Sequence, residues 1–417
     1  MPTPEYHPRL ADRYLADLLT VFPAVMINGA RATGKTTTAT QFAAQIERLD
    51  QPGVAAAYRA DPDAALRRAA RPLLLDEWQE VPTVLGAVKR AVDAGSQPGQ
   101  FILTGSVRAD LQHETWAGTG RTVRMSMYPL SERELRQGAN ADAPPFLQRL
   151  ASSGIDDLHL PTDVPDIDGY VDRALRSGFP ELAYRERTPE QQAIWLASYL
   201  DDLITRDART LDINKDPTKL RRYLHALALN NAGMPADATL YRAADVNAKT
   251  AASYDRLLRD LYILDIIPAW TNNRIDRLLR AGKRCLVDTG LAASAAGLTR
   301  QAVLKDHDLL GRWFEAFAIA QLRSEVALMQ PQPTLHHLRQ ESGRREIDLL
   351  VELSPDRLIA IECKAGSAPD DRDARHLIWL RDRLGAQFVA GVVLHAGPAV
   401  YQLDDRVYAI PLCAMWG

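Results

Sequence analysis

Cysteine is scarce: Cys285, Cys363 and Cys413 are the only three in 417 residues. No two of them form a CxxC pair, so a disulfide framework and a zinc ribbon are excluded and a reducing compartment is expected. Long apolar runs are lacking as well, and none approaches the roughly 18 residues that a membrane span needs. Met1 to Asp12 is polar and contains prolines, without the apolar core of a secretory signal, so the expected location is cytoplasmic. Charge of one sign is missing too. Lys plus Arg number 50 against 53 Asp plus Glu, a formal net charge of −3. That balance rules out a polyanion-coating protein and leaves room only for a local basic groove. Neither an internal repeat nor a low-complexity tract is found. What is there, 46% hydrophobic and 25% charged residues, suits ordinary globular domains, two or three by length.

From Tyr6 to Leu135 short apolar runs (Phe22 to Ile27, Pro72 to Leu75, Gln100 to Leu103) alternate with helix-like segments, the mark of a parallel α/β sheet. Gln137 to Gly169 is rich in Gly, Pro, Ala and Asp and reads as a linker or inserted loop. A helical region follows, including Ile194 to Leu200 and Leu220 to Leu227. From Gly311 onward a helix precedes strand-like runs at Glu346 to Val351 and Leu358 to Glu362, then a helix and a strand from Phe388 to Leu394. His336 and His337 have no acidic or Cys partner at ligand spacing and read as loop residues.

The sharpest motif runs from Gly29 through Ala30, Arg31, Ala32 and Thr33 to Gly34, Lys35 and Thr36, a full match to GxxxxGK[ST]. It lies after an apolar strand and before a helical stretch, as a phosphate-binding loop requires. Its glycines let the backbone curl so that N–H groups face an anion. Lys35 supplies a point charge to the β- and γ-phosphates of ATP, and the Thr36 hydroxyl can ligate Mg²⁺. The run Leu73 to Leu75 ends in Asp76 and Glu77, a hydrophobic strand with an acidic pair. Asp76 can hold Mg²⁺ through water and Glu77 can polarise the attacking water, a pairing that favours hydrolysis over storage. Thr104 and Ser106 end a third strand and can face the same crevice, where either can touch the γ-phosphate or the water.

This text resembles the AAA-type ATPases, and more closely a bacterial and archaeal family in which such an ATPase precedes a C-terminal domain of unknown function, DUF4143. Besides the two nucleotide motifs, the resemblance rests on Leu103 to Ser106, Gly120-Arg121, Tyr128 to Ser131 and Glu134. It continues through Ser177 to Pro180, Arg206-Asp207 and Asp288 to Leu291. It implies an arginine finger acting across a subunit interface, with Arg121 the first candidate and Arg108 and Arg124 behind it, and so a homo-oligomer.

Leu240 to Val246 and Asn247 to Tyr262 read as a helix-turn-helix, with the run from Ile263 to Pro268 opening a wing. In a DNA-binding winged helix Lys249, Thr250, Ser253 and Arg256 would face phosphates or base edges; such folds also serve as protein-packing modules. Farther on, Glu346-Ile-Asp348 is followed by Glu362-Cys-Lys364. Glu362 and Lys364 alternate on one strand and project from one face. Two carboxylates on adjacent strands suit Mg²⁺ or Mn²⁺, and a lysine beside them can activate water. Glu315 can reach in from the preceding helix. The pattern is similar to the PD-(D/E)xK nuclease superfamily, which implies a catalytic Lys364 and a metal site of Glu315, Asp348 and Glu362. No proline precedes Asp348, where Glu346-Ile347 stands instead.

The expected architecture is therefore α/β and multidomain. It comprises a P-loop AAA-type parallel sheet over residues 1–136, a linker and helical region over 137–210, a winged-helix-like part over 211–300, and a PD-(D/E)xK nuclease-like domain over 301–417. The expected activity is Mg-dependent ATP hydrolysis coupled to nucleic-acid binding or phosphodiester cleavage, on DNA rather than RNA. The competing reading is an ATPase switch or remodeller whose C-terminal fold is a non-catalytic platform for docking a protein.

Overall fold

A computed structural model describes residues 6–106, 120–136, 143–208, 216–271, 273–340 and 344–417. The chain divides into two units. One comprises Met1–Pro129 with Phe179–Glu181 and Asp260–Tyr262; the other comprises Leu130–Gly178, Leu182–Arg259 and Ile263–Gly417.

The first unit is built on a five-stranded sheet. Its strands are β1 (Ala24–Asn28), β2 (Gln45–Arg48), β3 (Leu73–Asp76), β4 (Phe101–Gly105) and β5 (Thr122–Ser126), in the order β2-β3-β4-β1-β5. Every pairing is parallel. β1, β3 and β4 are buried along their whole length, because a parallel sheet covered on both faces offers no wet side. The two edge strands carry no apolar run: Gln45–Arg48 alternates half-buried and exposed residues. Parallel pairing puts all carboxyl ends at one edge, with β4 lying between the strand that feeds the glycine-rich loop and the strand that ends in Asp76.

The second unit holds the helical middle and a C-terminal sheet. Residues 143–169, read as linker or inserted loop, hold one docked helix. The helix Phe146–Ser153 buries Phe146, Leu147 and Leu150, the Phe146 N–H donates to Glu325 (2.8 Å), and Arg149 donates to the carbonyls of Ala414 (3.2 Å) and Gly417 (3.4 Å). The composition is that of a loop, yet one phenylalanine, two leucines and a buried arginine suffice to dock the helix. Two motifs far apart in sequence also meet here. Asp288 caps the helix Thr289–Ala296 by accepting from Leu291 N (2.7 Å) and reaches back to Gly178 N (2.7 Å). A Cβ on Gly290 would lie 2.6 Å from Ser177 N, so only glycine allows that approach.

The helices Pro217–Leu229, Asp237–Ala244 and Ala248–Asp260 are followed by the antiparallel pair β6 (Leu264–Ile267) and β7 (Lys283–Leu286), the order of a winged helix. Asp245 ends the second helix in the left-handed region (φ 53°), making the tight turn into the third. After the long helix His307–Val326 come β8 (Thr334–Gln340), β9 (Arg345–Ser354) and β10 (Arg357–Lys364), the helix Asp371–Leu384, β11 (Phe388–His395), β12 (Tyr401–Asp404) and β13 (Val407–Pro411). The sheet order is β12-β13-β11-β10-β9-β8, antiparallel from β8 to β10 and parallel from β10 to β11. Ala374, Leu377 and Leu380 of the covering helix pack on Ile347, Leu350, Leu358 and Val393 to close its core.

His336 and His337 are strand residues, not loop residues, 5% and 2% exposed on β8. Pairing with β9 brings Glu352 to His336 Nε2 (3.0 Å), an acidic partner 16 positions away that spacing along the chain could not reveal. Among the described residues no helix is long and apolar enough to cross a membrane.

Candidate functional site

Between β1 and the helix Lys35–Thr40 the chain makes the tight loop that the motif foretells. Gly29 runs so close to the backbone that a Cβ there would lie 2.2 Å from Met127 O, and Gly34 adopts φ +94°. Ala32 sits at φ 62°, a conformation that L residues adopt only at a cost of about 1–2 kcal/mol. Arg9, upstream of the loop, holds it from behind through Nη1 to Thr33 O (2.8 Å) and Nη2 to Tyr128 O (3.0 Å). Thr33 in turn donates to Ala30 O (2.9 Å).

Lys35 is 6% exposed and donates to Gly29 O (3.0 Å) and Ala30 O (2.7 Å). Burial depresses its ammonium to a pKa of about 8, although the Glu77 and Asp76 charges pull the other way. Thr36 Oγ1 donates to Asp76 Oδ1 (2.7 Å), and Thr104 Oγ1 donates to the same oxygen. Thr104 therefore positions the β3 carboxylate, a more specific place than the open crevice its sequence suggested. Ser106 is buried beyond β4 at 4% exposure. Glu77, next to Asp76, takes φ 53° and ψ 49°, and Gln79 Nε2 donates to its carboxylate. A non-glycine residue held left-handed beside a nucleotide loop marks a side chain re-aimed at some expense. Gln79 closes the run Leu75 to Gln79 that belongs to the family resemblance, but that text does not say which side chain it touches.

Arg121 lies at the amino end of β5, whereas the nucleotide loop leaves the carboxyl end of β1; its Nε donates to Asp93 Oδ1 (2.7 Å). Arg124 is exposed on β5, and Arg108 lies outside the described residues.

The C-terminal carboxylates also come near one another, with a lysine among them that the sequence did not announce. Lys283 of β7 enters among them, 2% exposed. Its Nζ contacts Glu315 Oε1, donates to Asp348 O (3.2 Å) and lies 4.0 Å from Asp348 Oδ1. Asp348 Oδ2 accepts from Cys363 N (2.8 Å). Glu362, 5% exposed, has Lys364 Nζ at 3.7 Å and His376 Nδ1 at 4.0 Å. Burial, then the Asp348 charge beside it, pushes the Glu362 carboxyl well above its usual range. Burial alone would depress Lys283; Glu315 and Asp348 outweigh it and hold the ammonium above the ordinary lysine range. Among the described residues no three His, Cys, Asp or Glu side chains converge as a metal-ligand set.

On the outer side of the helix Ala248–Asp260, Lys249, Ala252, Arg256 and Arg259 are exposed, while Ala251, Tyr254, Asp255, Leu257 and Leu258 are buried. Asp255 is held inside by Tyr223 Oη (2.7 Å) and Arg284 Nε (2.9 Å).

Three family models match along the chain. Residues 21–136 match an AAA domain, 167–302 a domain of unknown function, DUF8612, and 310–415 the domain of unknown function DUF4143. The chain is an AAA-type ATPase that carries a DUF4143 domain. Over 396 residues the ATPase is 27% identical to uncharacterized protein Mb2031c of Mycobacterium bovis and to uncharacterized protein Rv2008c of Mycobacterium tuberculosis, covering 93% of this chain and 80% of each relative. Among solved structures, the Walker-type ATPase PABY2304 of Pyrococcus abyssi overlays with a TM-score of 0.39 at 13% identity, over 68% of this chain and 94% of that one. Protein VC1899 from Vibrio cholerae overlays with a TM-score of 0.21 at 13% identity, over 94% and 95%.

Proposed function

We propose that this ATPase hydrolyses MgATP at the β1–β3–β4 edge and that the cycle governs contact between its winged-helix part and nucleic acid, DNA rather than RNA. The observation that carries the hydrolytic half is the chain Thr36–Asp76–Thr104, two hydroxyls donating to one carboxylate oxygen beside a buried lysine. This hard-oxygen set fits Mg²⁺, with Thr36 and Asp76 as the residues that would hold it. Bound there, the ion would neutralise charge on the phosphates. Lys35 would exchange its carbonyl contacts for β- and γ-phosphate oxygens. Glu77, oriented by Gln79, would accept the proton of the attacking water. The test is phosphate release from ATP: loss in Lys35→Ala is expected, and turnover at the natural rate in that variant would overturn the reading.

The nucleic-acid half is supported by the exposed Lys249 and Arg256 on the third helix of the winged-helix order. Fluorescence anisotropy with labelled duplex and single strands is the check. Lys249→Ala/Arg256→Ala should weaken binding and lower its salt slope by about two, one per lost phosphate contact. No binding by the natural chain at low salt would favour the docking platform instead. Arg121 as a finger in trans belongs to the same proposal: in a homo-oligomer it would be offered to a neighbouring subunit's nucleotide, and mixed Lys35→Ala and Arg121→Ala subunits would then regain turnover.

The nuclease reading is supported by Asp348, Glu362 and Lys364 standing together. A divalent ion does not fit that set as it stands, because the Lys283 ammonium already lies between Glu315 and Asp348.

A further inference from the structure

We propose that Lys283 is the resident cation of the DUF4143 carboxylate cluster of Glu315, Asp348 and Glu362, occupying the place beside Glu315 and Asp348 that a divalent ion would take.

Three oxygens from two elements meet its Nζ: the Glu315 carboxylate from the helix His307–Val326, and the Asp348 carbonyl (3.2 Å) and carboxylate (4.0 Å) from β9. That is the donor set a small divalent cation seeks, all hard oxygen from a helix and a neighbouring strand. The charges agree. Three carboxylates gather here, and Lys283 and Lys364 together bring the two positive charges that one Mg²⁺ or Mn²⁺ would otherwise supply. A buried ammonium cannot be shared with a divalent ion at the same oxygens, since like charges a few ångströms apart in a dry site repel strongly.

Lys283 is fixed in place by its surroundings. The residue before it is Gly282, where a Cβ would lie 2.4 Å from Ile266 Cγ2, so the hairpin closes tightly enough to aim β7 inward only with glycine there. The connection between β6 and β7 is stitched along β8: His337 N donates to Pro268 O (3.0 Å), Trp270 N to His337 O (2.7 Å), and His337 Nε2 lies 3.2 Å from Ala281 O. The connection leading into the lysine is thus bonded to β8 of the C-terminal sheet at three points. Lys283 lies 32 positions from Glu315 and 65 from Asp348, and it belongs to the winged-helix part rather than to the sheet it neutralises. The inference concerns the DUF4143 cluster alone and is independent of ATP hydrolysis, which serves as the control for folding and loading.

The experiment is Mn²⁺ binding by the full chain without nucleotide, read by the loss of the free-ion electron paramagnetic resonance signal. The natural chain is expected to show no site that depends on Asp348, giving the same titration as Asp348→Asn. Lys283→Ala should gain one Mn²⁺ site, lost again in Lys283→Ala/Asp348→Asn. Mn²⁺ should raise the melting temperature of Lys283→Ala by more than that of the natural chain, and the difference should vanish in Lys283→Ala/Asp348→Asn. A site in the natural chain that vanishes with Asp348→Asn would overturn the proposal, and this arm needs no variant at position 283 to fold. A folded Lys283→Ala, with ATP hydrolysis intact but no Mn²⁺ gained, would overturn it equally.

Discussion

Two buried lysines stand in acidic surroundings in this chain and have opposite prospects. Lys35 is 6% exposed and Lys283 2%, and each has two acidic side chains acting on it. The hydrogen bonds of Lys35 run to the carbonyls of Gly29 and Ala30, neutral dipoles that compensate burial incompletely, so its pKa falls to about 8. Lys283 touches a carboxylate and is held above the ordinary range. The first has contacts weak enough to exchange for phosphate oxygens. The second is already satisfied, and removing it would strand buried anions. A lysine near acids is therefore a binding device or a structural plug according to what its ammonium touches.

The contrast is tested most severely at Lys35. Lys35→Ala should lower ATP turnover on the order of 10³-fold, the scale of losing a positioned cation on a transferring phosphoryl group, while the melting temperature stays near that of the natural chain. Glu77→Gln should cost about 10²–10³-fold in turnover and leave nucleotide affinity nearly unchanged, which equilibrium binding alongside phosphate release would check. At the other lysine the effect should be on stability. Lys283→Met should destabilise the fold by about 3–5 kcal/mol because it strands Glu315 and Asp348, and Lys283→Met/Glu315→Leu should recover much of that in denaturant titrations. If Lys35→Ala proves the destabilising change and Lys283→Met the silent one, the comparison is inverted.

The smallest effect is in pH and has two signs. Phosphate binding needs the Lys35 ammonium, so ATP affinity should be flat below pH 8 and fall above it, by up to about tenfold per pH unit. The nucleotide-free domain should change the other way. Its lysine loses the proton before the unfolded chain does, so the unfolded state binds more protons above pH 8 and stability rises toward the ordinary lysine pKa of 10.5. Calorimetric binding and thermal melts at matched pH would separate the two, and Lys35→Met should abolish both trends.

The nucleotide site was legible because its parts are local. A glycine-rich loop must be contiguous, and a strand ending in Asp76-Glu77 announces itself by its apolar run. β2 and β5 were missed for the converse reason. As edge strands they need no continuous apolar text, and Gln45–Arg48 alternates instead. The stretch at 143–169 reads as linker by composition, and only the packing of Phe146, Leu147 and Leu150 shows otherwise. Arg9 carries no signal and Gln79 only that of a motif member, since what they do depends on where Thr33 and Glu77 sit in space.

The text alone carries the phosphate loop, the acidic pair behind it and the parallel sheet that aligns them. Each follows from periodicity or from backbone chemistry within a few residues. The tertiary structure alone decided which acids have a partner: Asp348, Glu362 and Lys364 stood in plain text, but the cation that meets Glu315 and Asp348 arrives from another part of the chain. Coulomb interaction depends on distance in space, and no spacing along a chain encodes it until the fold brings the charges together.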